Sequence, residues 1–164
     1  LAISLSTTSF TIVASIQLFV LFMLWSPSKI VFELPFEFLI YILPILYCLS
    51  WFLLIVATID AGLEIQSGAL GWISVLASKK PKFPELPTTG LYRVIRHPIY
   101  ASFFLAVLTV PTWTLDQLVV SLILGGYCIF APILKDRRLI DRHGEKYLRY
   151  KDITPYMLPS KRIK

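Results

Sequence analysis

Only two cysteines, Cys48 and Cys128, and two histidines, His97 and His143, occur in 164 residues. Both cysteines lie inside apolar runs, where a thiol behaves as a small buried hydrophobe. So low a count excludes a disulfide framework and a cysteine-histidine zinc cluster. Charge is scarce as well: 16% of residues carry it, against about 25% in an average globular chain. No charged side chain falls between Ser9 and Trp25, and 22 uncharged positions separate Glu37 from Asp60. Basic residues are missing from the first half: of sixteen Lys and Arg, only Lys29 precedes residue 78. A net charge of +6 distributed in this way is not the stripe that tracks nucleic acid.

What fills the chain instead is apolar: 56% hydrophobic residues and a mean hydropathy of +0.70. At about 1.5 Å per helical residue, each uncharged run approaches the roughly 30 Å of a bilayer core. An integral membrane, all-α helical bundle is therefore expected. The first run lacks the basic start and small-residue cleavage site of a signal peptide. With Leu1 in first place and no Met, a native start and a preceding span are expected to lie outside this sequence.

Along the chain, a first helix is expected over residues 8–25, closed by the Ser26-Pro27-Ser28 turn signal. A second is expected over 36–58, kinked at Pro44. Asp60 to Ser78 mixes Asp60, Glu64, Gln66 and three glycines with Leu70, Trp72, Ile73 and Val75, and reads as interfacial or re-entrant. Pro81, Pro84 and Pro87 make 79–89 a loop. Pro98 to Leu134 is 37 residues with Asp116 as the sole charge, broken by Pro111-Thr112-Trp113-Thr114. This pattern predicts a helical hairpin, 98–110 against 115–134, followed by an amphipathic tail helical to about Tyr150. The basic segments 79–96 and 135–164 place both the loop 79–97 and the tail in the cytoplasm by the positive-inside rule. Residues 1–78 then form an N-terminal membrane part and 79–164 a catalytic part.

Two clusters carry chemistry. Arg93, Arg96 and His97 stand immediately before a helix that opens with Pro98, a residue suited to the first turn. Tyr100, three residues on, shares a face with His97. A lipid-phosphate anchor explains the arginines but not a histidine, which is mostly uncharged at neutral pH and both donates and accepts. Arginine, histidine, tyrosine and helix N–H groups together suit a carboxylate-bearing ligand. In the second cluster, Asp136, Leu139, His143, Lys146, Tyr147 and Tyr150 recur at helical spacing. Asp136, at the membrane exit, suits a ribose hydroxyl or an ammonium group. The competing reading of this segment is an amphipathic helix lying on anionic lipid.

"TTGLYRVIRHPIYASFF", an apolar hairpin, and "DRRLIDRHGEKYLRYKDITPYMLP" together resemble the catalytic half of the isoprenylcysteine carboxyl methyltransferase superfamily. These are integral membrane enzymes that use S-adenosylmethionine. The Pro-Thr-x-Thr turn is most similar to that of the methanethiol S-methyltransferase branch. The resemblance runs from Pro87 to Pro159, and more loosely over Ile59 to Ser78. It implies that Arg96, His97 and Tyr100 help bind the methyl donor. Asp136 and His143 join them as donor-binding candidates, and Arg96 and Tyr147 are the catalytic candidates. Relatives usually carry a Glu-Glu pair where this chain reads Lys135-Asp136, and the thiol branch a Leu-Arg-Gln element that is absent between Gly62 and Val75. The implied activity is S-methylation of a small thiol, with carboxyl methylation of a lipophilic acceptor as the alternative. The implied partners are that acceptor and membrane lipid, with no metal and no nucleic acid. Sterol reductases, which bind NADPH, share the His-Pro-x-Tyr ending, and a non-catalytic scaffold stays open as a third class.

Overall fold

The computed structural model describes residues 2–33, 36–78 and 86–159. Most of the predicted loop 79–89, including Pro81 and Pro84, and the last basic residues of the tail lie outside the described residues. Two compact units make up the chain, one of residues 1–27 with 61–87 and the other of 28–60 with 88–164.

In the first unit, helix α1 (Ala2–Leu24) packs with α4 (Ala69–Leu76), which follows the single turn α3 (Leu63–Gln66). The contact depends on a glycine. Gly68 has φ +73°, and a Cβ there would come within 2.9 Å of Thr11 Oγ1 and 3.1 Å of Thr8 Cα. Thr8 Oγ1 donates to the Gly68 carbonyl at 2.6 Å. The segment read as interfacial is thus two short helices, broken where its glycines adopt positive φ.

The second unit holds α2 (Leu39–Asp60), α5 (Pro98–Leu108), α6 (Leu115–His143) and α7 (Glu145–Ile153). Helix α5 packs against both α2 and α6. Small or polar residues make up much of what is buried: Ser50 and Ala57 on α2, Ser102 and Ala106 on α5, Ser121 and Gly125 on α6. A Cβ on Gly125 would meet the Phe104 ring at 3.3 Å, so this glycine lets α6 approach α5. Ser121 Oγ and Gln117 Nε2 both donate to the Val107 carbonyl, at 2.8 and 3.1 Å, at the end of α5. Large apolar side chains point outward instead: Phe52 is 62% exposed, Leu122 69% and Phe130 67%. Polar inside and apolar outside reverses the ordinary soluble pattern.

Among the described residues, α2 and α6 are long and apolar enough to cross a bilayer, while the apolar stretches Thr8–Leu24 and Pro98–Leu108 are shorter. Between α5 and α6 the break at Pro111 is more ordered than a turn. Strand β2 (Trp113–Thr114) pairs antiparallel with β1 (Val31–Phe32), and the Thr114 hydroxyl caps α6 by accepting from Gln117 N at 3.3 Å. The loop before Pro35 therefore contains a strand that its composition does not announce. Helix α6 continues without a break from the apolar hairpin into the charged tail, as far as His143.

Candidate functional site

Arg96 and His97 are positioned from three directions. Upstream, Gly90–Arg93 forms a single 3-10 turn whose Leu91 N–H donates to Asp60 Oδ2 at 2.8 Å. From α7, the Tyr150 hydroxyl donates to the Tyr92 carbonyl at 2.6 Å. Downstream, the backbone N–H groups of Arg96 and His97 donate to the carbonyls of Pro155 and Tyr156, at 2.9 and 3.3 Å. His97 is the N-cap of α5 with Pro98 at its first position, as its sequence implies.

These constraints bring both side chains onto α6. Arg96 Nη1 lies 3.0 Å from Asp136 Oδ2 and His97 Nε2 lies 2.7 Å from Asp136 Oδ1. The Tyr147 hydroxyl, from α7, donates to the same Oδ1. Asp136 therefore receives three donors, two from the adjacent residues that lead into α5 and one from α7, with Arg96, His97, Asp136 and Tyr147 all buried. Because a carboxylate only accepts, the His97 contact assigns the ring proton to Nε2 and leaves Nδ1 as an acceptor. Burial pushes the His97 imidazole below its ordinary value, against the opposing hydrogen bond and charge of Asp136. Burial, then the bond to Asp136, drives the Tyr147 phenol well above its usual range, so it remains a donor. Tyr150 is likewise pushed up to about 12 by burial.

Two polar atoms of this cluster have no partner: Arg96 Nε and His97 Nδ1, both buried. Leaving such atoms unpaired costs about 1–3 kcal/mol each. The Tyr156 ring lies near both side chains, with the Arg96 guanidinium carbon 5.6 Å from its centroid and the His97 ring edge-on at 5.1 Å. Tyr156 is held by its hydroxyl, which donates to the Ile129 carbonyl at 2.7 Å. Tyr156 also lines a cavity of about 820 Å³, together with Leu53, Ile95, Pro98, Phe104, Met157 and other mostly apolar residues.

The remaining sequence candidates divide. Tyr100 stands edge-on to His97 at 6.1 Å, and Lys135 Nζ sits 5.6 Å over the Tyr100 ring. Arg93 is exposed, as an anchor would be. His143 makes none of the contacts of the Asp136 cluster. The face drawn from Asp136 through His143 to Tyr150 is not continuous, because Gly144, with φ +52°, separates α6 from α7. Sequence reasoning did not include Asp60 or Tyr156 in the site. The "TPY" after the last helix was the available signal for Tyr156; nothing local marks Asp60.

Comparison with curated proteins decides the kinship. The chain is 30% identical over 155 residues to the methanethiol S-methyltransferase of Pseudomonas deceptionensis, covering 94% of this chain and 59% of that protein. This chain is a relative of the methanethiol S-methyltransferases. Methanethiol S-methyltransferase 1 of Bradyrhizobium diazoefficiens is 27% identical, over 94% of this chain and 55% of its own length. The enzyme of that name from Crocosphaera subtropica is 26% identical, over 93% of this chain and 60% of its own length. The chain thus spans less than two thirds of these relatives. The similarity to methyltransferases extends through nearly the whole chain, beyond the segment from Pro87 to Pro159 in which the motifs were legible. No family model and no solved structure matches.

Proposed function

We propose that the chain is the catalytic part of an integral membrane, S-adenosylmethionine-dependent methyltransferase that methylates a small thiol. The observation that carries this reading is the pair of buried, unpartnered atoms, Arg96 Nε and His97 Nδ1, beside a carboxylate already engaged by protein donors. They fit an amino-acid-bearing, nucleoside-bearing donor. The Arg96 Nε–H would hold a carboxylate, and His97 Nδ1 would accept from an ammonium group or a ribose hydroxyl. Tyr100, edge-on to His97, would complete the mouth. His143 stays outside this assignment.

S-adenosylmethionine, when bound, supplies an electrophilic methyl group on a sulfonium, so the protein must orient, desolvate and keep the acceptor ionised. Asp136 and Tyr147 serve by holding Arg96 and His97 in place. The positive charge of Arg96 favours a thiolate over a thiol. The proposed donor-binding residues all lie in the second compact unit, on the C-terminal side of residue 78.

A second reading is favoured by the cavity. At about 820 Å³ it falls in the range of about 300–1,000 Å³ typical of sites for drug-sized ligands. A thiol of two heavy atoms would fill a small part of it. Its apolar lining suits a lipophilic acceptor, including one methylated on a carboxylate. Titration of the purified chain in detergent with S-adenosylmethionine and NADPH, followed by an assay of thiols of increasing chain length and of prenylcysteine, tests both readings. Saturable binding of S-adenosylmethionine and not of NADPH, with turnover of a thiol, is expected. Binding of NADPH alone, or of neither, would sink the methyltransferase reading; turnover of prenylcysteine alone would favour the second.

A further inference from the structure

Asp60 is the last residue of α2, the end where a helix presents its partial negative charge and disfavours an acid. Its compensation comes from another element. Asp60 Oδ2 accepts the Leu91 N–H at 2.8 Å, and Thr89, the N-cap residue of the Gly90–Arg93 turn, makes no side-chain cap of its own. Asp60 therefore caps this turn from 31 positions away in sequence. The fit is close at Gly90, where φ is +57°: a Cβ would fall on Asp60 Oδ2 and lie within 2.5 Å of its Cγ. Only glycine meets both demands, a left-handed backbone and a carboxylate lying over its Cα.

From the capped residue the chain has little freedom before it reaches the cluster. Val94 N and Ile95 N both donate to the Leu91 carbonyl, at 3.0 and 3.1 Å, and Arg96 follows directly. We infer that Asp60 is a positioning residue for Arg96 and His97, acting through Gly90 and Leu91 without touching donor or acceptor. This inference rests on the donor-site reading above. The terminus of one helix thereby sets where the guanidinium and imidazole meet α6.

The test compares Asp60→Ala, Asp60→Asn, Asp60→Glu, Gly90→Ala and the double variant Asp60→Ala with Gly90→Ala. S-adenosylmethionine affinity is measured by calorimetry and backbone amide exchange is followed over residues 91–97. Loss of a charge-assisted hydrogen bond predicts about ten- to a hundredfold weaker donor binding for Asp60→Ala. Asn, whose amide oxygen accepts the same N–H, should restore affinity to within about threefold. Glu keeps the charge but moves it by one methylene against Gly90, and should bind more weakly than Asn. Gly90→Ala should cost less in the Asp60→Ala background than alone, since the carboxylate it strikes is gone. Wild-type affinity in Asp60→Ala, or wild-type affinity in Asp60→Glu with none in Asp60→Asn, overturns the inference. If the wild-type chain binds no S-adenosylmethionine, the donor-site reading fails instead. Amide exchange then still decides the clamp: faster exchange over 91–97 in the Asp60 and Gly90 variants supports it, and unchanged exchange overturns it. If Asp60→Ala does not fold, the ranking of Asn above Glu carries the test.

Discussion

A buried carboxylate with three donors makes each donor's removal unequal. Asp136→Asn keeps the shape but leaves the buried Arg96 charge without its counterion, and breaking such a pair costs about 3–5 kcal/mol of stability. We expect a lowered melting temperature, together with donor affinity weakened by roughly 1.5–3 kcal/mol, about ten- to a hundredfold. Calorimetric titration and thermal denaturation of the same preparation check both. Tyr147→Phe leaves Asp136 with Arg96 and His97, and should cost less, about 1.5–3 kcal/mol for one hydrogen bond to a charged group. Protonation is the other lever at this scale. Burial lowers the pKa of His97, the charges of Lys135 and Arg96 add to that shift, and Asp136 opposes it without reversing it. A base depressed in the folded state takes up its proton first in the unfolded chain, so stability falls as pH drops through the ordinary imidazole value of about 6.5. In the folded protein the ring takes up its proton only at lower pH, where Nδ1 turns from acceptor to donor, so donor binding should weaken below the interval in which stability begins to fall. Melting temperatures from pH 8 to 5 should fall for the wild type and flatten in His97→Gln. An equal slope in the variant would remove His97 from the explanation.

Elements were legible where a single rule governs them. Charge-free runs announced α2 and α6, and Pro98 announced the start of α5. The face from Asp136 to Tyr150 was drawn on spacing alone, and spacing is blind to a glycine that changes the sign of φ. Gly144 ends α6 and begins α7 with φ +52° and ψ −129°, a region that residues with a Cβ rarely enter. Gly144→Ala meets no neighbour, since nothing lies within 4 Å of the added Cβ. Its cost is therefore backbone strain of about 1–3 kcal/mol. We expect a lower melting temperature and weaker donor binding, because Tyr147 and Tyr150 both depend on that corner. Full retention of binding would mean that α7 finds its place without it. The β1–β2 pair was invisible for another reason: two-residue strands have no periodicity to read.

At the scale of the molecule, the membrane character was legible in composition, but the contacts of the site were not. Arg96 and His97 meet a carboxylate 40 and 39 positions away, and such a pairing depends on how α5 and α6 pack. The inverted distribution, with serines and charges inside and Phe52, Leu122 and Phe130 outside, supports placement in a bilayer. The cytoplasmic placement expected for both basic segments predicts that single cysteines at the exposed positions 89 and 149, in a Cys48→Ala and Cys128→Ala background, resist an impermeant maleimide in sealed cells. Both should react after lysis. Labelling of either from outside would reverse the orientation.

The bonds from Arg96 and His97 to Pro155 and Tyr156 join parts of the chain made at different times. At about 5–20 residues per second, the interval between them is on the order of 3–12 s of synthesis. Throughout that interval the nascent chain holds an arginine and a histidine with no roof, and for most of it no Asp136 either. An apolar hairpin entering lipid with an unpaired guanidinium at its mouth is a substrate for quality control. A translational stall before residue 136 should therefore mark the chain for proteolysis instead of yielding a slow enzyme.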